Sequence, residues 1–397
     1  MPMKLENFRL KVVVMSLFLI IYYLWIPPVL LMGEVSGANS FYGQYNFDNE
    51  RYLLRFIASV VVILINCVAA SLFFQANKFV GDEWYLRVNK VVSNITVFLM
   101  SIFSIPLIYN LIANGLSDRT ASFEYMLLWR HHAVISAIFT IGLVSSLLSL
   151  LNGDRRNFII LFFCGVIPEL VYGTRVSIFR IVFLLGIFLP WRFKYFVILC
   201  GLLVLTGFSR SLFNEYSSSS LYDYLILFFG DPINITLGTS FLESNVNFEC
   251  GVDGLHFVRS FLPPFLSLRD YFNEYLGDVT TCINENGFGV GAPNGLGGSP
   301  VNDMLVAPVS FFMSFLVLVV FVYFLFSAVS NRNSIVRFYI PLIILSCAPY
   351  IMRNGMIPTS NHIITVILWV LIPMVAVVNA ICASRWGSQN EREVSIL

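Results

Sequence analysis

The chain carries little charge for its length. Only 12% of its 397 residues are charged, whereas 57% are hydrophobic, and the mean hydropathy is +0.79. A soluble domain has roughly twice that fraction of charged residues. The net charge of +1 also leaves no basic surface of the kind that nucleic-acid binding requires. Composition therefore excludes nucleic acid as a partner and indicates an integral membrane protein.

The sequence also lacks the signatures of metal and nucleotide chemistry. It has no Cys-x-x-Cys pair, no metal-ligand spacing, and no Walker lysine in its glycine-rich stretch, residues 284–299. We therefore expect neither a metal nor a cofactor. Most of the cysteines lie within apolar runs, but Cys250 and Cys282 share one long polar segment. A disulfide between these two is plausible if the segment is extracytoplasmic, and free thiols are the alternative.

What the chain has in abundance is long hydrophobic runs. A helix needs about 20 apolar residues to cross the hydrocarbon core of a bilayer. The first run is too long for the core of a signal peptide and lacks a cleavage site of small residues, so we expect it to be retained. The predicted spans are 11–32, 53–75, 91–113, 133–151, 157–172, 175–190, 193–210, 303–329, 336–351 and 362–383.

These runs predict an all-α polytopic membrane protein with about ten transmembrane helices and one large external loop. Residues 1–210 would form an N-terminal bundle of about seven helices. Residues 211–302 would form the large loop, with short interfacial helices. Residues 303–397 would add about three helices and a short cytoplasmic tail.

The positive residues orient these spans. With the N-terminus in the cytoplasm, fourteen lysines and arginines fall on the cytoplasmic side and ten fall outside, and the even number of spans returns the C-terminus to the cytoplasm. All the lysines lie inside, and every external positive residue is an arginine. Arginine offers the fixed, forked donor geometry that recognises phosphate. The external face is therefore predicted to handle a phosphate-bearing substrate.

Three of these arginines mark the outer ends of spans. Arg175 and Arg180 lie at the outer end of the sixth span, with Arg180 about 7.5 Å deeper. We interpret them as a pyrophosphate clamp; the alternative for Arg180 is an internal ion pair with Glu169 or Asp303. Arg353, at the outer end of the ninth span, either belongs to the same clamp or extends to the membrane interface.

His256 and Arg259 lie three residues apart in the large loop. On a helical turn they share a face, so His256 is either a general base beside an anion site or an ordinary solvated histidine. Asp303, which begins the eighth span, is a second candidate base or the partner of an arginine. The candidate substrate-binding residues are Arg180, Arg259, Glu169 and Arg210.

Two local patterns accompany this architecture. One is the segment Gly295-Leu296-Gly297-Gly298-Ser299-Pro300-Val301-Asn302-Asp303, which leads into a span, and the other is the turn Gly173-Thr174-Arg175. Together with the span number, the dominant loop and the arginines at loop ends, they give a chain that resembles the O-antigen polymerases, the Wzy family of bacterial inner-membrane glycan polymerases. The first segment looks like the glycine-serine-then-acidic signature of that family, although the acidic residue is Asp303 rather than glutamate and no Asn-Phe-Gly follows.

The resemblance implies polymerisation at the periplasmic face of the bacterial inner membrane. A hydroxyl of one lipid-linked repeat unit would attack the anomeric carbon of the chain on another, and polyprenyl pyrophosphate would leave. Arginines would stabilise the departing pyrophosphate, and His256 would be the base, followed by Asp303 or Glu169. The catalytic candidates are His256, Arg175, Arg353 and Asp303.

The resemblance also implies the partners. They are the polyprenyl-pyrophosphate-linked oligosaccharide donor and acceptor, membrane lipid, a chain-length regulator and a flippase. An apolar groove open to the bilayer would hold the lipid tail, and no metal or other cofactor is required.

Two other functions stay open. An O-antigen ligase, or another lipid-linked glycosyltransferase, would use the same cations and base but transfer the glycan to a different lipid. A polysaccharide flippase or other transporter should show related halves and charged residues deep in the membrane. No internal repeat is evident, and the external arginines cluster at one surface. The sequence therefore favours the polymerase.

Overall fold

The computed structural model describes residues 5–32, 52–77, 83–114, 133–165, 176–192, 194–195, 197–204, 229, 232–233, 235–236, 261–263, 299–329 and 335–382. The regular secondary structure of these ranges is entirely helical, which confirms the predicted all-α class. Most of the predicted loop, residues 211–302, lies outside them.

The helices of the described ranges are numbered in chain order. They are α1 (Leu5–Ile20), α2 (Ile26–Met32), α3 (Tyr52–Asn77), α4 (Glu83–Asn114), α5 (Ala133–Leu151), α6 (Arg156–Gly165), α7 (Val176–Phe188), α8 (Pro300–Val306), α9 (Pro308–Ala328), α10 (Ile335–Asn354) and α11 (Met356–Thr365). A π-helical turn, Ile21–Trp25, joins α1 to α2. A second one, Val366–Leu371, follows α11 within a helix that continues to Cys382.

Seven helical segments in the described part are long and apolar enough to cross a bilayer, and each coincides with a predicted span. They are Asn7–Val29, Tyr52–Ala76, Tyr85–Tyr109, Val134–Leu151, Pro308–Ala328, Ile335–Asn354 and Met356–Cys382. The predicted fifth and sixth spans correspond to the shorter apolar helices α6 and α7. The structure thus has the architecture of a multi-pass helical membrane protein, while the total of ten spans stays a prediction.

Three predicted span boundaries are wrong. The third span was expected to begin at residue 91, but α4 begins at Glu83. The eighth span was expected to be continuous from residue 303, but α8 ends at Val306 and α9 begins at Pro308. Pro308 has no N–H and restricts the residue before it, and Ala307 accordingly adopts φ −142° and ψ 64°. The tenth span begins at Met356 instead of residue 362, because Gly355 at φ 94° reverses the chain within one residue.

Helix α10 is the centre of the bundle. It packs against α3, α5, α7 and α11. Of its apolar stretch, 89% is buried, against 33% for the corresponding stretches of α4 and α9. A helix with protein on every side has no lipid-facing stripe, so polar groups on α10 must find their partners within the bundle.

The start of α10 lies beside the start of α4. Tyr339 Oη donates to Asn89 Oδ1 at 2.6 Å, and the rings of Phe338 and Tyr85 are 5.0 Å apart. The two helices therefore begin at the same side of the bundle, and Arg353, in the last turn of α10, lies at the other. We call these two sides the Lys90 end and the Arg353 end.

Four phenylalanines pack against one another at the Lys90 end. Phe8 of α1 stacks on Phe73 of α3 at 5.0 Å, and Phe188 of α7 lies within 5.5 Å of both. Phe338 of α10 contacts Phe73 at 4.9 Å. Aromatic pairs at these separations contribute about 0.5–1.5 kcal/mol each beyond the area they bury. The cluster fixes the ends of α1, α3, α7 and α10 relative to one another.

The outward faces of the bundle are apolar. On α9, Val309, Val320, Tyr323 and Phe324 are all exposed, and α3 and α4 present similar side chains. Monomeric soluble proteins rarely expose contiguous apolar patches of this kind, whereas lipid solvates them. The exposed belt agrees with the membrane location.

Candidate functional site

Arg180 lies inside the bundle. It belongs to α7, all of whose residues are buried, and its side chain is 3% exposed. Its Nε donates to Ser346 O at 2.9 Å, and its Nη2 donates to Thr140 Oγ1 at 2.8 Å and to Ser346 Oγ at 3.2 Å. The ring of Phe139 lies 5.6 Å from Cζ, within the range of a cation–π contact. Arg180 therefore connects α5, α7 and α10.

The sequence of α10 explains why Arg180 is accommodated there. Pro349 lies within this helix and has no N–H to donate to Leu345 O, so the backbone ladder is interrupted beside Ser346. Ser346 Oγ donates to Ile343 O at 2.8 Å, which leaves its lone pairs directed at other donors. The planar guanidinium fork matches this pair of acceptors, one backbone and one side chain, on the same residue.

The acceptors that the described residues offer to Arg180 are all neutral. They are a carbonyl oxygen, two hydroxyl oxygens and, at 4.0 Å, the sulfur of Cys347. Hydrogen bonds to neutral dipoles reduce the desolvation cost of a buried cation but do not cancel its charge. An ionised side chain retained inside a membrane bundle marks a functional site by default.

His362 joins this arrangement through Thr140. Its Nε2 lies 3.1 Å from Thr140 Oγ1, the same oxygen that accepts from Arg180. The ring of His362 also stacks against Tyr350, with centroids 5.4 Å apart. Unlike Arg180 and Thr140, His362 is only half-buried. The histidine is therefore the most exposed member of this group.

The hydrogen bonds of Thr140 assign the tautomer of His362. Thr140 has one hydroxyl hydrogen and two lone pairs, and its Oγ1 also lies 2.8 Å from Ser136 O, which can only accept. All the contacts are satisfied when Thr140 donates to Ser136 O and accepts from both Arg180 and the Nε2–H of His362. In the neutral imidazole of that tautomer, the lone pair is on Nδ1.

The depth of the group follows from helix geometry. Thr140 is seven residues from Ala133 on the 19-residue helix α5, which places it about 10 Å from the Arg353 end of that helix. Ser346 likewise precedes Arg353 by seven residues, or two turns of α10. Residues two turns apart share a face. Arg353, which is half-buried, thus lies about 10 Å above the Arg180 group on the same face of α10.

Asp303 contacts the start of α11 in the structure. Its carboxylate is fully buried, and Oδ2 accepts from the backbone N–H of Ile357 at 3.0 Å. That N–H belongs to the first turn of α11, where an acidic group is favoured by the helix dipole. Asp303 therefore holds the short helix α8 against the start of α11. The alternative of an ion pair between Arg180 and Asp303 is not among the described contacts of Arg180. A catalytic role of Asp303, or its pairing with another arginine, stays a prediction.

Helix α8 positions Asp303. Ser299 is the N-cap, and its Oγ accepts from Asn302 N at 3.0 Å, while Pro300 occupies the first position. Ser at the N-cap followed by Pro is a strong local start signal for a helix. The end of the glycine-serine-then-acidic segment, from Ser299 to Asp303, thus forms the start of a capped helix. This helix places the carboxylate of Asp303 against the first turn of α11.

A second arginine lies inside the bundle. Arg55 of α3 is 2% exposed, and its Nη1 donates to Leu24 O at 2.6 Å. In an α-helix Leu24 O would accept from residue 28, but that residue is Pro28, which has no N–H. Leu24 O, at the π-helical turn that precedes the two prolines, therefore lacks its α-helical donor and is available to accept from Arg55.

Three of the predicted site residues lie in the described part of the chain. Of these, Arg180 is deep in the bundle, Arg353 is at one end, and Asp303 is a buried helix cap. The predicted residues that lie outside the described ranges are Glu169, Arg175, Arg210, Cys250, His256, Arg259 and Cys282. The clamp of Arg175 with Arg180 and the pair of His256 with Arg259 stay predictions.

His362 and Thr140 were not among the predicted site residues. His362 was expected to begin the tenth span, but it lies two turns inside a helix that starts at Met356. A polar run, Thr359-Ser360-Asn361-His362, just before an apolar stretch was the available signal. An ionisable residue within a span indicates a functional site. His362 could be recognised as such a residue only if the span was known to start at Met356, six residues before the predicted boundary.

An apolar groove of 670 Å³ opens on the surface between α1, α7 and residues 197–204. Its wall includes Val14, Phe18, Val182, Leu185 and Leu203. Trp191 lines its Lys90 end, and Lys11 lies beside this tryptophan, with Nζ 5.9 Å from the ring and donating to Leu189 O at 2.6 Å. The groove has the size and lining of a site for a hydrocarbon chain.

The described residues include no group of three His, Cys, Asp or Glu side chains that could hold a metal ion. The chain matches no protein-family model, no curated protein and no solved structure.

Proposed function

We propose that the chain is an O-antigen polymerase, a membrane glycosyltransferase that joins polyprenyl-pyrophosphate-linked oligosaccharide repeat units. In this reaction an acceptor hydroxyl attacks the anomeric carbon of the donor chain. The new glycosidic C–O bond forms as the bond to the pyrophosphate oxygen breaks. The hydroxyl proton passes to a base, and the electron pair leaves with polyprenyl pyrophosphate.

The observation that carries the proposal is the connection of Arg180 to His362 through Thr140. A fixed cation can stabilise a departing pyrophosphate, and a histidine can serve as the base that takes the proton of the attacking hydroxyl. Arg180 would stabilise the negative charge that develops on the leaving group. His362, with its lone pair on Nδ1, would accept the proton of the attacking hydroxyl, alongside or in place of His256.

Arg353 supports the same proposal from the end of the bundle. It lies on the same face of α10 as Ser346, so a diphosphate entering from the Arg353 end would meet Arg353 first and Arg180 about 10 Å deeper. The predicted Arg175 would add a third cation to Arg353 and Arg180. The apolar groove beside α7 offers a path for the isoprenoid tail in the bilayer.

One observation favours a transporter as the second candidate. Polar side chains continue from Thr140 toward the Lys90 end: Thr96 contacts Ser145 at 3.4 Å, and Asn89 bonds Ser149 at 3.2 Å. A buried polar line beside an ionised residue is typical of a route for protons or ions. In a flippase, Arg180 would bind the substrate during translocation and no bond would form.

The experiment that tests the proposal is complementation of a polymerase-deficient strain that makes the cognate repeat unit. The lipopolysaccharide is separated by gel electrophoresis, and the length ladder is read. We expect Arg180→Ala and Arg353→Ala to reduce the ladder to a single repeat unit, with normal amounts of protein in the membrane. Arg87→Ala, an exposed arginine at the Lys90 end, is the matched control and should leave the ladder intact.

The same gel separates the two candidates. Loss of polymerisation leaves one repeat unit on the lipid core, because translocation and ligation continue. Loss of translocation leaves none. Normal ladders from Arg180→Ala and Arg353→Ala would refute the proposal, and loss of every repeat unit would replace it with the transporter.

A further inference from the structure

A polar pocket of 460 Å³ lies between α4 and α6 at the Lys90 end of the bundle. Lys90 and Arg156 line it, together with Asn94 and Asn157. Because Arg353 and the Arg180 group belong to the other end and the middle of the bundle, this pocket is separate from the candidate functional site. Its polar groups lie at the start of α6 and two to three turns inside α4, near residue 91, where the third span was predicted to begin.

The polar wall of the pocket is built by hydrogen bonds. Asn157, which is 6% exposed, donates from Nδ2 to Ser93 Oγ at 2.9 Å and to Asn94 Oδ1 at 2.8 Å. These bonds fix the orientation of Asn94 by using its carbonyl oxygen as the acceptor. The NH₂ group of Asn94 is then the polar group that its side chain presents to the pocket.

The charge of the pocket is positive. Lys90 and Arg156 contribute two positive charges and Asp154 one negative charge, which gives a net charge of +1 for the lining. Asp154 Oδ1 accepts from the backbone N–H of Arg156 at 3.2 Å and so caps the start of α6. Its charge is directed at the helix terminus, where it is stabilised by the dipole. The two cations have no such partner within the lining.

The deeper part of the pocket is mostly apolar. Val97 and Phe98 of α4 and Ile160 of α6 line it, together with Ser101, whose hydroxyl donates to Val97 O at 2.8 Å. Lys90 and Phe98 are eight residues apart, or about 12 Å along the helix. Phe98 is 64% exposed on the outer surface of the bundle, so the apolar end opens toward the bilayer. A site with cations at the membrane surface and an open apolar wall below them matches a lipid, whose head and tail have the same order.

We infer that this pocket binds an anionic phospholipid, with its phosphate between Lys90 and Arg156 and one acyl chain along Val97, Phe98 and Ile160. Basic pockets between membrane helices are typical sites for anionic head groups. The inference is independent of the glycan chemistry proposed above, since it uses other residues at the opposite end of the bundle. The bound lipid would hold α4 and α6 together from outside.

Native mass spectrometry of the detergent-solubilised full chain tests this inference. The protein is titrated with phosphatidylglycerol or phosphatidylcholine of the same acyl length, and the adducts are counted. We expect a phosphatidylglycerol adduct that phosphatidylcholine does not form at equal concentration. The variant Lys90→Gln/Arg156→Gln should bind it roughly tenfold or more weakly, since each basic residue near an anionic lipid contributes about 1 kcal/mol.

Two controls make the test specific. Arg155→Gln removes one charge from a position that adjoins Arg156 but does not line the pocket, and should bind like the unchanged chain, whereas Arg156→Gln, which also removes one charge, should bind more weakly. Phe98→Ser should weaken the long-chain lipid alone and leave any binding of glycerol 3-phosphate unchanged. Equal losses in Arg155→Gln and the double variant would overturn the inference. So would glycerol 3-phosphate binding as tightly as the lipid, because the site would then be a site for free phosphate.

Discussion

At the scale of single residues, Arg180 carries a desolvation cost that its hydrogen bonds within the bundle must offset. Moving an arginine to the centre of a membrane helix costs about 2.5–3.5 kcal/mol on insertion scales and more on an isolated helix. Arg180 is compensated by acceptors that lie in different directions, on Ser346 and on Thr140. Only a planar group with several fixed donors reaches all of them, so lysine is not an equivalent residue here.

Thr140→Val should separate the polar role of this threonine from its volume. Valine has the same shape but offers no acceptor to Arg180 or His362. We expect a loss of about 1–3 kcal/mol in the free energy of unfolding, measured in detergent by thermal or denaturant unfolding, and a shortened glycan ladder. Thr140→Ser should restore both.

Thr96→Val is the matched control for this substitution. Thr96 is equally buried on the neighbouring helix α4, but its hydroxyl bonds only neutral groups, Val92 O, Ser93 O and Ser145 Oγ. Its loss should be the smaller of the two. If the two valine variants lose equal stability and activity, the contact with Arg180 is not what makes Thr140 important.

His362→Gln should distinguish catalysis from structure at the same place. The glutamine amide can still donate to Thr140, but it cannot take up a proton at neutral pH. We expect an unfolding midpoint close to that of the unchanged chain and a polymerisation rate lower by roughly a hundredfold or more. The rate is measured as ladder formation in membranes supplied with lipid-linked repeat units. An unchanged rate would transfer the role of base to His256.

At the scale of elements, the connection between α10 and α11 is one glycine. Gly355 adopts φ 94° and ψ 172°, a region that is essentially restricted to glycine. A Cβ at this position would also overlap the carboxylate of Asp303. The tight reversal and the buried cap thus depend on each other, and together they fix the start of α11, and with it His362, relative to Arg353.

Gly355→Ala should therefore destabilise the protein by more than backbone strain alone. We expect strain of about 1–3 kcal/mol plus the cost of displacing Asp303 from Ile357 N. Gly153→Ala is the control, because Gly153 also has a positive φ of 93° but nothing lies within 4 Å of its Cβ position. Its loss in unfolding free energy should be limited to the strain.

A double-mutant cycle isolates the contact with the carboxylate. In Asp303→Ala the clash is absent, so adding Gly355→Ala should cost only as much as Gly153→Ala does in the unchanged chain. Additive losses from the two substitutions would mean that Gly355 and Asp303 act independently, contrary to the geometry.

The π-helical turn of the first span permits a similar prediction. Arg55→Leu should leave Leu24 O without the donor that Arg55 provides and cost about 1–3 kcal/mol in unfolding free energy. Pro28→Ala restores a backbone N–H that can reach Leu24 O in an α-helical register. The double variant should therefore recover part of the stability. An undiminished loss in the double variant would show that Arg55 stabilises the bundle through its other contacts.

At the scale of the whole molecule, hydropathy predicted the membrane helices and long-range contacts decided the site. The span predicted at 53–75 is Tyr52–Ala76, because some twenty consecutive apolar residues determine a span locally. The bond from Arg180 to Ser346 joins residues 166 apart, and the bond from Ile357 to Asp303 joins residues 54 apart. No local pattern encodes such pairs. The failed boundary at residue 362 had a local cause, the left-handed Gly355, which hydropathy does not detect.

The orientation of the molecule links the two ends of the bundle to the two sides of the membrane. Asn354 adjoins Arg353 at one end, and Arg155 adjoins the polar pocket at the other. The distribution of lysines and arginines predicts that Asn354 is external and Arg155 is cytoplasmic. A single cysteine at either position, in a chain whose native cysteines are replaced, can be labelled with a membrane-impermeant thiol reagent.

We expect Asn354→Cys to react in intact spheroplasts and Arg155→Cys to react only after permeabilisation. Labelling of both from one side would contradict the placement of the two residues at opposite ends of the bundle. The reverse pattern would keep the fold but turn Arg353, Arg180 and His362 toward the cytoplasm. Since an O-antigen polymerase acts where the lipid-linked units have already crossed the membrane, that outcome would exclude it and leave enzymes or transporters that act on the cytoplasmic leaflet.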